Sequence, residues 1–400
     1  MRKILLALVY GLLAGAATAQ SNRSAVIAKC VADAHAKSEE LAAEVHPAKG
    51  FGSPVMRMAM DAHSGDLDRA LLAAKQLAAE HPESSPLEAA VGMLYYEQGK
   101  NIEAVAAFNH ALELDPCEDR AHYFAWRFNA LGGKEATAWQ ELELAHNLGP
   151  KDFVVQQTWA AVQEAQKLEA QSNAVAVQTT KPLVHDFFAK LLECDGLPIR
   201  SSTYVDDTAL VLACGKVRKM LQNLPEARRA MIERGAELHI IGDREGTSDL
   251  PENRQFKTQA YVDAEGKSTS MDQRTRGVGG LLSSCGEENL LHLPSDRYGD
   301  GSDTCTHEFS HDVMENGFTE KQRNAIEKQY RSSLRKGLWK GSYAAANVKE
   351  YWAEISMWYF GSHGGRQGAG PAGVGPEALL AYDPGAYELA DALYTGRMKR

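Results

Sequence analysis

Beyond its first twenty residues the chain has no apolar run near the about 20 residues a bilayer-crossing helix needs, so insertion into a membrane is not expected. It has no block of Lys or Arg, and its formal net charge is −10. Both features argue against a nucleic-acid partner, which is held largely through basic contacts to phosphate. The six cysteines lack the close C-x-x-C pairs of a cysteine-rich zinc site. Hydrophobic residues at 44% and charged residues at 24% describe a globular rather than a disordered chain. Its 400 residues suffice for one large domain or two modest ones.

At the N-terminus, MRKILLALVYGLLAGAATAQ carries Arg2 and Lys3, then an apolar run from Ile4 to about Ala14, then Ala17-Thr18-Ala19. This pattern predicts a signal peptide over residues 1–19, cleaved before Gln20, and a secreted or periplasmic protein. No cysteine follows the cleavage point, so a lipid anchor is not suggested. Cys30, Cys117, Cys194, Cys214, Cys285 and Cys305 all lie beyond it, and an even count in an oxidising compartment favours disulfides. Closeness in sequence suggests Cys194–Cys214 and Cys285–Cys305, which leaves Cys30 for Cys117.

The first half repeats itself. Pro82, Pro116 and Pro150 are each 34 residues apart, and so are Gly65, Gly99 and Gly133, and Ala70, Ala104 and Ala138. Between them, apolar residues at i, i+3 and i+4 follow a glycine turn, and proline stops the helix. This period resembles the tetratricopeptide repeat, a helix pair whose open apolar face is covered by the next pair. The expected organisation is a TPR-like helical domain over 20–171. Repeats fall near 51–84, 85–118 and 119–152, with a leading helix at 24–46 and a closing helix at 153–171. Such a domain offers a surface for a protein partner, or serves as a rigid spacer. Residues 172–180 read as a linker.

From Lys181 to the end an α+β domain is expected. LVHDFFAKLLECDG and TALVLACGKVRKMLQNL both read as helices, and AELHIIGD as a strand. The segment from Arg244 to Ser270 is polar and turn-rich.

Within this domain, THEFSH places His307 and His311 four residues apart, one helical turn on one face, with Glu308 directly after the first. Two imidazoles at that spacing can bind one zinc ion while the glutamate takes a proton from a water. A third ligand is required. NVKEYWAEISMWYF supplies Glu350, 39 positions after His311, and Glu354 one turn further on. Trp352, Ile355, Trp358 and Tyr359 argue against a wholly solvated helix there. Glu354 can hold a zinc-bound histidine through its other ring nitrogen. Tyr343, seven residues before Glu350, can donate a hydrogen bond to an oxyanion, although a lone tyrosine is more often a packing residue.

HEFSH followed by Tyr343, then E-Y-W-A-E, resembles the catalytic domain of the anthrax-lethal-factor-like gluzincin metallopeptidases, over about residues 181–400. Ser310 stands where that family usually has Gly or Ala. The resemblance implies a zincin fold, with His307, His311 and Glu350 as zinc ligands. It further implies Glu308 as general base, Tyr343 at the transition state, and Glu354 supporting a ligand. The expected function is a zinc-dependent endopeptidase acting on a protein or peptide substrate. The alternative is a TPR-type binding protein with a structural or inactive zinc domain. In such folds substrate lies along a sheet edge, and AELHIIG is a candidate for part of that sheet. Asp296, Arg297 and Tyr298 are expected to order a loop through an ion pair. His239 and His292 are expected to be satisfied or surface histidines. GSHGGRQGAGPAGVGPE is expected to be a surface loop.

Overall fold

In a computed structural model, helices begin every 34 residues: α1 (Leu67–Glu80), α3 (Asn101–Leu114) and α5 (Glu135–Leu148) form one series. α2 (Ser85–Glu97), α4 (Asp119–Leu131) and α6 (Phe153–Gln171) form the other. The structure describes residues 26, 28–32, 58, 61–62, 65–171, 176–262, 268–299, 301–365 and 368–398. The expected signal peptide, most of the expected leading helix, the first half of the expected repeat 51–84 and the start of the expected linker lie outside them. The chain divides into two compact units, 1–160 and 161–400, a division that falls inside α6.

The repeat period has a local cause. Gly65, Gly99 and Gly133 each precede a helix with φ of +84°, +71° and +69°, a conformation that is strained for a residue with a Cβ. The alanines at the same interval, Ala70, Ala104 and Ala138, are buried where neighbouring helices meet. Gly92 of α2 has no room for a side chain, because an added Cβ would lie 2.7 Å from the ring of Phe108 on α3. Cys30 is bonded to Cys117 in this unit.

The second unit is built on a six-stranded mixed sheet. β1 (Gln178–Val184), β2 (Phe188–Cys194) and β3 (Leu197–Ser201) form an antiparallel meander. The helix expected over LVHDFFAKLLECDG is therefore corrected to a hairpin, and the linker's last residues join its first strand. Two facts explain the error. Phe188 and Leu192 are four apart, an even spacing that keeps both on one face of a strand as readily as of a helix. His185 and Asp186 have φ of +52° and +56°, and Asp195-Gly196 have +52° and +91°. The second is a two-residue hairpin turn, for which Asp-Gly is a strong sequence signal, and the first belongs to a three-residue turn over 185–187.

β4 (Glu237–Ile241) runs parallel between β3 and β8 (Leu282–Gly286), with β7 (Gly277–Val278) antiparallel at the far edge. AELHIIG is thus an interior strand, as its four consecutive buried residues require, and not a free edge. TALVLACGKVRKMLQNL is helical as expected: α7 (Asp207–Leu221) is followed by α8 (Pro225–Arg234). The described residues of 244–270 include short 3-10 turns and a two-residue strand pair, β5 (Tyr261–Val262) with β6 (Ser268–Thr269). Two short helices flank β7 and β8, α9 (Met271–Arg274) and α10 (Glu287–Leu291). The remaining helices are α11 (Thr304–Asp312), α12 (Glu320–Arg335), α13 (Val348–Phe360), α14 (Gly375–Tyr382) and α15 (Pro384–Tyr394).

Cys194–Cys214 ties β2 to α7, and Cys285–Cys305 ties β8 to α11, so all three disulfides pair as expected. They suggest an oxidising, extracellular-type environment. No helix among the described residues is long and apolar enough to cross a membrane.

His239, in the middle of the sheet, is clamped between two carboxylates: Nδ1 lies 2.6 Å from Glu252 and Nε2 3.1 Å from Glu237. Arg200 in turn binds Glu237 at 2.7 Å. Burial alone would lower the imidazole pKa, but the hydrogen bonds to Glu237 and Glu252 outweigh it and raise it above the ordinary 6.5. The stability so contributed is complete below that value and is lost as pH rises through the folded-state pKa. His239→Gln is expected to lower Tm more at pH 6 than at pH 9. A gap that stays constant with pH in thermal unfolding would show that no proton is linked to this clamp.

Candidate metal centre

α11 carries the paired histidines, and its first turn is fixed from three sides. Asp303 caps it, accepting from the Thr306 N–H at 3.0 Å and the Thr306 hydroxyl at 2.7 Å, while Lys216 binds the same carboxylate at 2.5 Å. Asn289 accepts from the Thr304 N–H at 2.9 Å. The disulfide at Cys305 fastens the turn to β8. With the helix held this way, His307 and His311 are both buried and their ring centroids are 5.0 Å apart.

α13 brings the carboxylates. Asn347 caps it, accepting from the Lys349 and Glu350 N–H groups at 2.9 and 3.1 Å. The Glu350 Oε2 atom then stands 3.0 Å from His307 Nε2 and 3.5 Å from His311 Nε2. Three ligands at about 2.0–2.1 Å from a tetrahedral ion lie about 3.3 Å from one another. The two distances from the Glu350 oxygen to the imidazole nitrogens are therefore already close to the edges of such a site. One turn on, Glu354 Oε1 is 3.4 Å from His307 Nδ1, on the opposite side of the ring. The two carboxylates thus address both nitrogens of His307 and fix its orientation.

Glu308 also lies close: ligand atoms of His307, Glu308 and His311 fall within 4.8 Å of one another, so this His-Glu-His group could hold a metal ion. A single Glu350 oxygen contacts both imidazoles. Glu308 instead turns toward β7, where it accepts a hydrogen bond from the Gly279 N–H. Tyr343 is half exposed, its ring stacked 6.0 Å from that of His307 and its hydroxyl hydrogen-bonded to Glu350.

The electrostatics show how strongly the cluster calls for positive charge. Burial opposes a charge on His307, yet its hydrogen bonds to Glu350 and Glu354 hold its pKa up to about 10. Burial opposes ionisation of Glu350 as well, and the two imidazoles pull its pKa down to about 2. Burial raises the pKa of Glu308, partly offset by His307 and His311. Burial and the Glu350 and Glu308 charges raise that of Tyr343, which keeps its phenol protonated.

Every site residue expected from the sequence is in this cluster. Several contributors were not anticipated. β7 lies against the histidine helix because its glycines leave room: a Cβ on Gly277 would lie 2.8 Å from Glu308 Cγ, and one on Gly279 would lie 2.6 Å from His311 Cβ. Arg276, just before β7, is buried and forks onto Glu288 at 2.6 and 2.8 Å, also donating to the Gly242 carbonyl at 2.9 Å. The glycine-rich stretch is more than a surface loop: the Gly365 N–H donates to Glu354 Oε2 at 2.8 Å, and Gly364 packs onto the same oxygen. Arg297 orders its loop by donating to the carbonyls of Asp272 and Gln273 at 2.7 and 2.5 Å. Asp296 accepts from Asn289 at 3.0 Å and from the Tyr298 N–H at 2.9 Å. Glycine spacing in RGVGG was the available signal for β7, but two residues are too few to show a strand period.

The chain matches no protein-family model and no curated protein. The site therefore stands on its own geometry. Gly279→Ala is expected to displace His311 and weaken Co²⁺ binding about tenfold or more in an absorption titration. Wild-type affinity in that variant would show that β7 does not constrain the histidine.

Proposed function

We propose that the second unit is a gluzincin-type zinc endopeptidase domain of zincin fold. The observation that carries this reading is the Glu350 oxygen shared between two imidazoles at tetrahedral-edge spacing. Two nitrogens and one carboxylate form the donor set of a catalytic zinc site, with one corner left for water or substrate. His307, His311 and Glu350 would hold the ion, and Glu354 would orient His307. When bound, zinc supplies the Lewis acid that polarises a carbonyl and acidifies a water.

The remaining steps belong to the chain. Glu308, beside the ligands and held at Gly279, takes the water's proton and delivers it to the leaving amine. Tyr343, protonated and near the ligands, donates to the oxyanion that develops on the attacked carbonyl. The outer edge of β7, next to Glu308, is where an extended peptide can add as a strand. A purely structural metal site would need neither Glu308 nor Tyr343, which weighs against the binding-protein alternative.

The helix pairs of the first unit, with their 34-residue period, support a TPR-like surface for a partner or substrate. Three disulfides support a secreted or periplasmic location.

Glu308→Gln is expected to keep stoichiometric zinc and lose about 10²–10⁴-fold of chelator-sensitive casein cleavage. Retained cleavage would remove Glu308 as the base. Glu350→Ala is expected to weaken zinc binding by orders of magnitude, measured by competition with a chromogenic chelator. Unchanged affinity would exclude Glu350 as a ligand.

A further inference from the structure

We infer that Asp383, 33 residues beyond Glu350 and remote from the reacting atoms, is the positioning residue that sets both the third metal ligand and the Tyr343 phenol. Its kinetic consequence rests on the peptidase reading above, and its consequence for metal binding does not.

Asp383 lies between α14 and α15 with no exposed surface. Its Oδ2 accepts from the Ser333 hydroxyl at 2.5 Å, the Trp339 indole N–H at 2.9 Å and the Tyr351 hydroxyl at 3.2 Å. Its Oδ1 accepts from the Gln329 amide and the Ala386 N–H, at 3.3 and 3.2 Å. Five donors fill the acceptor capacity of an ionised carboxylate and come from α12, the turn after it, α13 and α15. A buried charge is tolerable only when it is satisfied in this way. Its donors are therefore held in fixed places.

Two of those donors lead to the site. Tyr351 directly follows Glu350 on α13 and is fully buried, so its hydroxyl fixes the first turn of the helix that presents the ligand. Trp339 is also fully buried and has φ of +63°, a left-handed conformation that a tryptophan adopts only under constraint. The constraint is visible: the indole N–H binds Asp383, and the Trp339 N–H donates to the Tyr382 hydroxyl at 2.8 Å. The Trp339 carbonyl then accepts from the Ser342 N–H at 3.1 Å and from the Ser342 hydroxyl at 2.8 Å. The next residue is Tyr343, whose ring lies against His307. One carboxylate thus governs two arms, one ending at Glu350 and the other at the phenol.

Asp383→Asn keeps the side-chain volume but turns one acceptor into a donor that faces Ser333, Trp339 and Tyr351. On the full chain, the Co²⁺ dissociation constant is expected to rise about tenfold, and Tyr351→Phe should reproduce that rise. With saturating Zn²⁺ and labelled casein, kcat is expected to fall about tenfold at unchanged KM. In a Tyr343→Phe background, again with saturating Zn²⁺, Asp383→Asn should change kcat by less than about twofold, because the phenol arm is gone and saturation offsets the weaker metal binding of the other arm. Wild-type Co²⁺ affinity in both Asp383→Asn and Tyr351→Phe would overturn the inference, whether or not the protein cleaves casein. So would a kcat loss that persists in full without the Tyr343 hydroxyl. Absence of chelator-sensitive cleavage by the wild-type protein would sink the peptidase reading alone. If Asp383→Asn does not fold, Trp339→Phe and Tyr351→Phe each remove one donor and carry the same comparison.

Discussion

The second unit is organised around one carboxylate meeting two imidazoles. The Glu350 oxygen sits 3.0 and 3.5 Å from the facing nitrogens of His307 and His311, and the three residues come from two helices, Glu350 lying 39 positions after His311. Bringing buried charges and dipoles this close is costly unless a cation joins them. Hydrogen bonds to Glu350 and Glu354 accordingly hold the His307 pKa well above its ordinary value. Much of the surrounding structure can be read as the means of holding this meeting point: the Asp303 cap, the Cys285–Cys305 bond, the Asn347 cap and the Gly364–Gly365 contact on Glu354.

The sheet contributes through its edge. β7 is only two residues long, yet it is flanked by the buried Arg276–Glu288 pair and approaches the histidine helix through glycines. It gives Glu308 a backbone donor and leaves an unpaired strand edge beside the cluster.

Much of this was legible in the sequence, for physical reasons that differ by element. The repeat was visible because a left-handed glycine and a helix-stopping proline recur at the same interval, and both are local requirements. α7 and β4 were visible from their periodicity, and His307, Glu308, His311, Glu350, Glu354 and Tyr343 from helical spacing and family resemblance. The β1–β2 hairpin was misread because Phe188 and Leu192 satisfy two periods at once, and the Asp195-Gly196 turn was the overlooked evidence. Gly277, Gly279 and Gly364 could not be singled out, because the need for a missing side chain arises from neighbours distant in sequence. Asp383 is the extreme case, since its importance lies entirely in the donors that fold around it.

The most direct test of the account is X-ray absorption on the zinc-loaded full chain. Convergence of these residues predicts one tightly bound zinc per chain, with two imidazole nitrogens and carboxylate oxygen at about 2.0–2.1 Å. Scattering from a single imidazole, or no stoichiometric zinc at all, would contradict it.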